Sequence, residues 1–173
     1  YIKYGLTVEF ISSAFLVSLL IPMTFIDLEH KIIPNGLVVT GIAGGAVLAF
    51  YNAFHPLDFY IDREWWNPLA GSVTASGFLF LVSMIGTTVY RSGDAMGMGD
   101  VKIFIPIGLF LGWKSVIGAL FISLVLAALT SLILIITRKK TRKDTIPFGP
   151  FIAIATFIML LCGKELITWH MGG

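Results

Sequence analysis

The sequence predicts an all-α fold, a polytopic transmembrane bundle of about six helices of which one is short or broken. Three observations carry this. Charged residues make up 13% of the chain and hydrophobic residues 57%, whereas a soluble domain carries about 25% charged residues. Mean hydropathy is +0.90. Several apolar runs approach the roughly 20 residues that a helix needs to cross a hydrocarbon core about 30 Å thick. A soluble domain is thereby excluded. A formal charge of +2, with the basic residues gathered mainly in one stretch, does not fit a nucleic-acid surface, so the lipid bilayer is the partner that composition demands.

The segments run Leu6 to Ile26, Pro34 to Phe54, Pro68 to Tyr90, Val101 to Gly112, Lys114 to Thr137 and Gly149 to Trp169. Pro34 and Pro68 stand where a first helical turn tolerates a missing N–H and so mark helix starts. Val101 to Gly112 is too short, because a dozen residues rise only about 18 Å against a core of about 30 Å. With Pro106 inside it and glycines before it, this segment is expected to be a short or broken helix. Its N-terminal end is expected to face a watery cavity, since irregular backbone cannot face lipid.

The densest positive stretch, Arg138-Lys139-Lys140-Thr141-Arg142-Lys143, belongs in the cytoplasm by the positive-inside rule. Alternation then puts the turns Asp27 to Ile33 and Arg91 to Gly99 on the same side, with Phe54 to Asn67, Trp113 and the C-terminus outside. Lys and Arg divide eight to four in favour of the inside, and Trp65, Trp66, Trp113 and Trp169 fall at the outer boundary as an aromatic belt would. The external stretch bearing His55, Asp58, Asp62, Arg63 and Glu64 reads as a solvated connection. Cys162 is the only cysteine, so an intrachain disulfide and a cysteine-based zinc site are excluded. No internal repeat is visible, and residues 1–173 read as a single membrane-embedded domain. The start at Tyr1 is consistent with a piece of a longer protein, and no cleavable signal peptide is recognisable.

Two polar constellations interrupt the apolar runs. Asp27-Leu28-Glu29-His30-Lys31-Ile32-Ile33-Pro34-Asn35 joins the first two helices, and Asp27 lies at a helix end beside the apolar layer. Ionisable groups at that depth are costly and usually have a task. Glu29, His30 and Lys31 read as turn residues. In Ala95-Met96-Gly97-Met98-Gly99-Asp100-Val101-Lys102, glycines lead a loop to a helix start with Asp100 at the N-cap position. Asp94 reads as a loop charge, and a phosphate at this glycine loop is disfavoured by Asp100 itself. A third stretch, Thr145-Ile146-Pro147-Phe148-Gly149-Pro150-Phe151, fixes an unusual backbone at the start of the last helix.

Asp27 and Asp100 fall on one membrane face. Two close carboxylates do not both ionise easily, so one keeps a proton while the other activates water, which suits peptide hydrolysis without a metal. Helix dipoles favour charge on Asp100, at a helix N-terminus, and the proton on Asp27, at a helix C-terminus. Other chemistries stay open: a proton or cation transporter using the same carboxylates, and a metal-dependent hydrolase with His30 as a further ligand.

The residues Asp27-Leu28-Glu29-His30 with Ile33-Pro34-Asn35, then Gly97-Met98-Gly99-Asp100-Val101-Lys102, then Pro147-Phe148-Gly149-Pro150-Phe151, resemble the three motifs of bacterial type IV prepilin leader peptidases, in order and in spacing. The resemblance implies an inner-membrane aspartic endopeptidase with its active site facing the cytoplasm. Its substrates would be type IV prepilins and type II secretion pseudopilins, its catalytic pair Asp27 and Asp100. Gly97, Gly99, Lys102, Pro147, Phe148, Gly149 and Pro150 would bind substrate or support the site, with no metal and no cofactor for proteolysis. A related glycine-x-glycine-aspartate peptidase with a different substrate is the neighbouring alternative. Full-length members carry a cysteine-containing methyltransferase domain that uses S-adenosylmethionine. Nothing in this sequence matches that domain, so S-adenosylmethionine is expected only if such a domain is missing from this chain.

Overall fold

The computed structural model describes residues 7–57, 60–90, 97–138 and 146–171, except for the side chains of 89–90 and 168–171. Five helices follow one another: α1 Val8–His30, α2 Asn35–Phe54, α3 Asn67–Tyr90, α4 Met98–Ile136 and α5 Gly149–Met171. Each contains a stretch long and apolar enough to cross a membrane. The six expected segments map onto these five, the fourth and fifth being two limbs of α4. Asp94, most of the basic stretch (139–143), Lys3, Arg91 and Asp58 lie outside the described residues.

Apolar side chains such as Phe25, Val47, Phe121 and Ile136 point outward and are more than half exposed, as lipid-facing residues are. The buried face of α1 is Ser12, Leu16, Leu20, Met23 and Asp27, a spacing of three and four that lies along one side of a helix. Asp27 is therefore the last member of the face that meets the core. The helix continues beyond it for one turn, through Glu29 and His30, to Lys31, which closes α1 in the left-handed region at φ 54°.

At the centre lies the first limb of α4. Gly41 and Gly45 of α2 meet Pro106 and Leu109, and the backbones of Gly71 on α3 and Gly108 on α4 touch with no room for a Cβ. Small residues four apart allow such approach between membrane helices. The limb ends at Gly112, whose φ of 75° and ψ of 171° are not helical. A straight helix of 39 residues would be about 58 Å long, nearly twice the hydrocarbon core. Instead the second limb turns back, for Gly99, Asp100 and Lys102 of the first limb and Leu124, Ala127 and Ala128 of the second line the same cavity.

The break at Gly112 interrupts the backbone bonds that span it, and side chains take up one donor and one acceptor there. In an unbroken helix the Trp113 N–H would bond the Leu109 carbonyl. Here the Trp113 N–H donates to Asn67 Oδ1 at 2.9 Å, and Tyr60 Oη donates to the Leu109 carbonyl at 2.7 Å. Both side chains are buried, Tyr60 1% and Asn67 2% exposed, and burial pushes the Tyr60 phenol above its ordinary range. Asp62 accepts from Trp113 Nε1 and from Lys114 Nζ, each at 2.9 Å, and Asn67 Nδ2 donates to the Asp62 carbonyl. The stretch read as a solvated connection is thus a plug that completes the broken helix. Among its expected solvated charges, Asp62 is a structural one.

These bonds predict the consequences of their loss. Tyr60→Phe and Asn67→Leu each leave a buried backbone group of α4 unpaired and should destabilise the protein by about 1–3 kcal/mol. Gly112→Ala adds the cost of a positive-φ, extended backbone that is essentially reserved for glycine, about 1–3 kcal/mol, to a collision with Asn67 and Tyr60. Equilibrium unfolding in detergent micelles measures all three; Tyr60→Phe at wild-type stability would show that the carbonyl needs no partner.

Candidate active site

At the end of the bundle away from the plug, the two carboxylates share a cavity of about 890 Å³, lined by Asp27, Lys31 to Ile33 and Asn35 around the α1–α2 turn, Gly97 to Asp100 and Lys102 at the start of α4, Leu124, Ala127, Ala128 and Ser131 on its second limb, and Ile146 to Phe148 before α5. Asp27 is 4% exposed; Asp100 is half-buried and near enough to feel the charge of Asp27. Of the residues singled out in the sequence, Asp27, Gly97, Gly99, Asp100, Lys102, Pro147 and Phe148 line the cavity. Gly149 touches Asp27 from behind. Pro150 stands in the first turn of α5, outside the lining, where its missing N–H costs nothing.

Asp100 is one turn further into its helix than the sequence reading put it. Gly97 is the N-cap, and Asp100 is the third helical residue, its N–H bonded to the Gly97 carbonyl at 3.0 Å. Gly99 adopts helical backbone, and its bare Cα packs on Ile33 of the α1–α2 turn. This brings the start of α4 against the turn that follows Asp27. Lys102 reaches Asn35 Oδ1 at 3.5 Å across the same gap.

Asp27 departs further from expectation. Its Oδ2 accepts the Gly149 N–H at 2.7 Å, so the carboxylate caps the N-terminus of α5. A Cβ at position 149 would stand 2.7 Å from that oxygen, which explains glycine there. The C-terminus of α1 taken alone disfavours negative charge on Asp27. With α5 included, both carboxylates sit at helix N-termini, where negative charge is stabilised, and the dipoles no longer divide the roles. Asp27 alone receives a described backbone N–H.

Arranged in this way, the cavity holds two interacting carboxylates and the cations of Lys31 and Lys102. Among the described residues, no group of three or more His, Cys, Asp and Glu side chains converges. His30, weighed as a ligand in the sequence, pairs at 3.8 Å with Glu29 on the exposed last turn of α1. Asn35, in the first motif but not singled out, joins the lining, as do Leu124, Ala127, Ala128 and Ser131. Their three- and four-residue spacing was the available signal, but it also describes a lipid-facing stripe.

Residues 14–132 match the model of the type IV leader peptidase family. The chain is 31% identical over 170 residues to a protein of Legionella pneumophila named prepilin leader peptidase/N-methyltransferase, covering 98% of this chain and 56% of that protein. Proteins of the same name from Bacillus subtilis (strain 168) and Aeromonas salmonicida (strain A449) are 29% and 30% identical, over 98% and 88% of this chain and 63% and 49% of their own length. The chain thus spans about half to three-fifths of these relatives. No solved structure matches it.

The Gly149 contact makes a stability prediction. Gly149→Ala should lower stability by about 1–3 kcal/mol, as overpacking does, whereas Asp27→Asn keeps an acceptor for the amide and should cost less. Comparing the two variants by unfolding in detergent tests this, and equal losses would show that the contact is unimportant.

Proposed function

The chain belongs to the type IV leader peptidase family, and we propose that it is a membrane aspartic endopeptidase domain that removes the leader of type IV prepilins and type II secretion pseudopilins, with Asp27 and Asp100 as its catalytic pair. The observation that carries the reading is that two acidic side chains, far apart in sequence, line one cavity. The names of the relatives support the substrate class. We read residues 1–173 as one domain. The carboxylate end faces the cytoplasm of the bacterial inner membrane, on the strength of the Lys and Arg distribution.

The division of labour follows from the bond at Asp27. An N–H donated to one carboxylate oxygen stabilises its charged form, so Asp27 is the resting base and Asp100 holds the shared proton, the reverse of the dipole-only assignment. Asp27 takes a proton from a water as that water's oxygen attacks the scissile carbonyl carbon. Asp100 gives its proton to the carbonyl oxygen as the tetrahedral intermediate forms. When the C–N bond breaks, Asp27 protonates the departing amine, and the hydroxyl proton of the collapsing intermediate returns to Asp100. No metal or covalent enzyme intermediate enters this sequence. Gly97, Gly99 and Gly149 act through backbone proximity, Pro147, Phe148 and Pro150 by fixing the start of α5, and Lys102 by balancing charge beside Asn35. The methyltransferase activity in the relatives' names is not assigned to these residues, and S-adenosylmethionine is a cofactor only for a further domain.

Incubation of the purified protein with a type IV prepilin in detergent tests the pair. Asp27→Asn and Asp100→Asn should each lower the cleavage rate at least 100-fold, the scale of about 10²–10⁴ for acid–base catalysis; normal cleavage by either variant would remove the dyad. The wild-type rate should be bell-shaped in pH. It falls in acid as the second carboxylate gains a proton, and in base as the shared proton is lost. A profile without the descending basic limb would exclude the shared-proton scheme.

A further inference from the structure

The cavity has two unlike walls. One carries Asp27, Lys31, Asn35, Asp100 and Lys102, and the other is the second limb of α4, with Leu124, Ala127, Ala128 and Ser131. These four recur at the i, i+3, i+4, i+7 spacing of a single helix face. Leu124 is 40% exposed, and Ala128 is exposed as well. Beyond them the limb stays apolar and open, with Leu132 and Ile133 more than half exposed. The limb therefore presents an open apolar face past the carboxylates.

The unequal limbs explain the opening. Asp100 and Leu124 lie equal numbers of residues before and after Gly112, so they share a level. The first limb stops at Met98, about half a turn beyond Asp100, whereas the second continues to Ile136, about 18 Å beyond Leu124. The second limb thus runs on without the first beside it.

We propose that this face of α4 is the docking wall for an apolar membrane helix of the substrate, which enters sideways from the lipid and delivers its polar end to the carboxylates. The inference rests on the peptidase reading of the same cavity. A chain leaving hydrocarbon needs one apolar surface for its helix and one polar surface for its end at a single place, and the two walls of this cavity provide both. Ala127 and Ala128 set the clearance, because small side chains let a second helix backbone approach closely. The apolar groove between α1 and α5, lined by residues such as Ile21, Phe25 and Phe157, is the competing docking surface.

The test uses the full chain in liposomes with a membrane-inserted type IV prepilin. Ala127→Leu and Ala128→Leu should each lower kcat/KM at least tenfold, while Leu129→Ala, on the same limb but outside the cavity lining, should stay within twofold of wild type. In a Cys162→Ser, Asp27→Asn background, Ala128→Cys should form a disulfide with a cysteine placed in the first two turns of the prepilin's apolar helix. Undiminished cleavage by both leucine variants overturns the proposal, as does a disulfide formed from Phe157→Cys and not from Ala128→Cys. A disulfide at position 128 with no cleavage by the wild type would leave the wall standing and defeat the peptidase reading.

Discussion

A helix broken within a bundle leaves backbone donors and acceptors without intrahelical partners, and the return of α4 toward the carboxylate end depends on how this chain satisfies them. Tyr60 and Asn67 take the Leu109 carbonyl and the Trp113 N–H. Each supplies a half-bond that the helix lost where α4 reverses at Gly112. Asp62 secures the same corner through Trp113 and Lys114. Because the break lies at the far end of the bundle, the first limb rises only about 21 Å before its start, and Asp100 is held below the level that a full span would reach.

The second constraint is electrostatic. Two carboxylates in a largely apolar bundle are expensive, and their cost is offset by partial charges already present in the fold. The start of α4 carries Asp100 on its third residue. The start of α5 points the Gly149 N–H at Asp27. Neither arrangement tolerates much displacement, since Gly99 rests on Ile33 and a side chain at Gly149 would enter the Asp27 carboxylate. The three motifs, scattered over most of the chain, are thereby one object: a turn, a helix start and another helix start closing on one cavity.

Hydropathy made most of the architecture legible. The expected helix ends near residues 34, 54, 90, 137 and 149 all fall within a few residues of the observed ones, because membrane spans are set by length and apolarity more than by neighbours. The short segment ending at Gly112 was legible too, from a run too short to cross. The plug was not, because nothing in the composition of residues 55–67 distinguishes a loop lying in water from one that sends Tyr60 into the core. Gly41 and Gly45, four apart in an apolar run, did carry a packing signal, but not which helix they would meet.

What the sequence determined by itself is therefore what depends on local chemistry: which stretches are apolar enough to span, where prolines and glycines interrupt them, and that Asp27 and Asp100 fall at the same end of the bundle. Tertiary structure alone decided that Asp27 caps α5 rather than simply closing α1, that Asp62 is structural, and that the second limb of α4 supplies a wall of the cavity. Those outcomes rest on which helix end meets which side chain across the bundle. Contacts between residues separated by tens of positions are selected by packing and by the pairing of polar groups in hydrocarbon, and no local pattern encodes them.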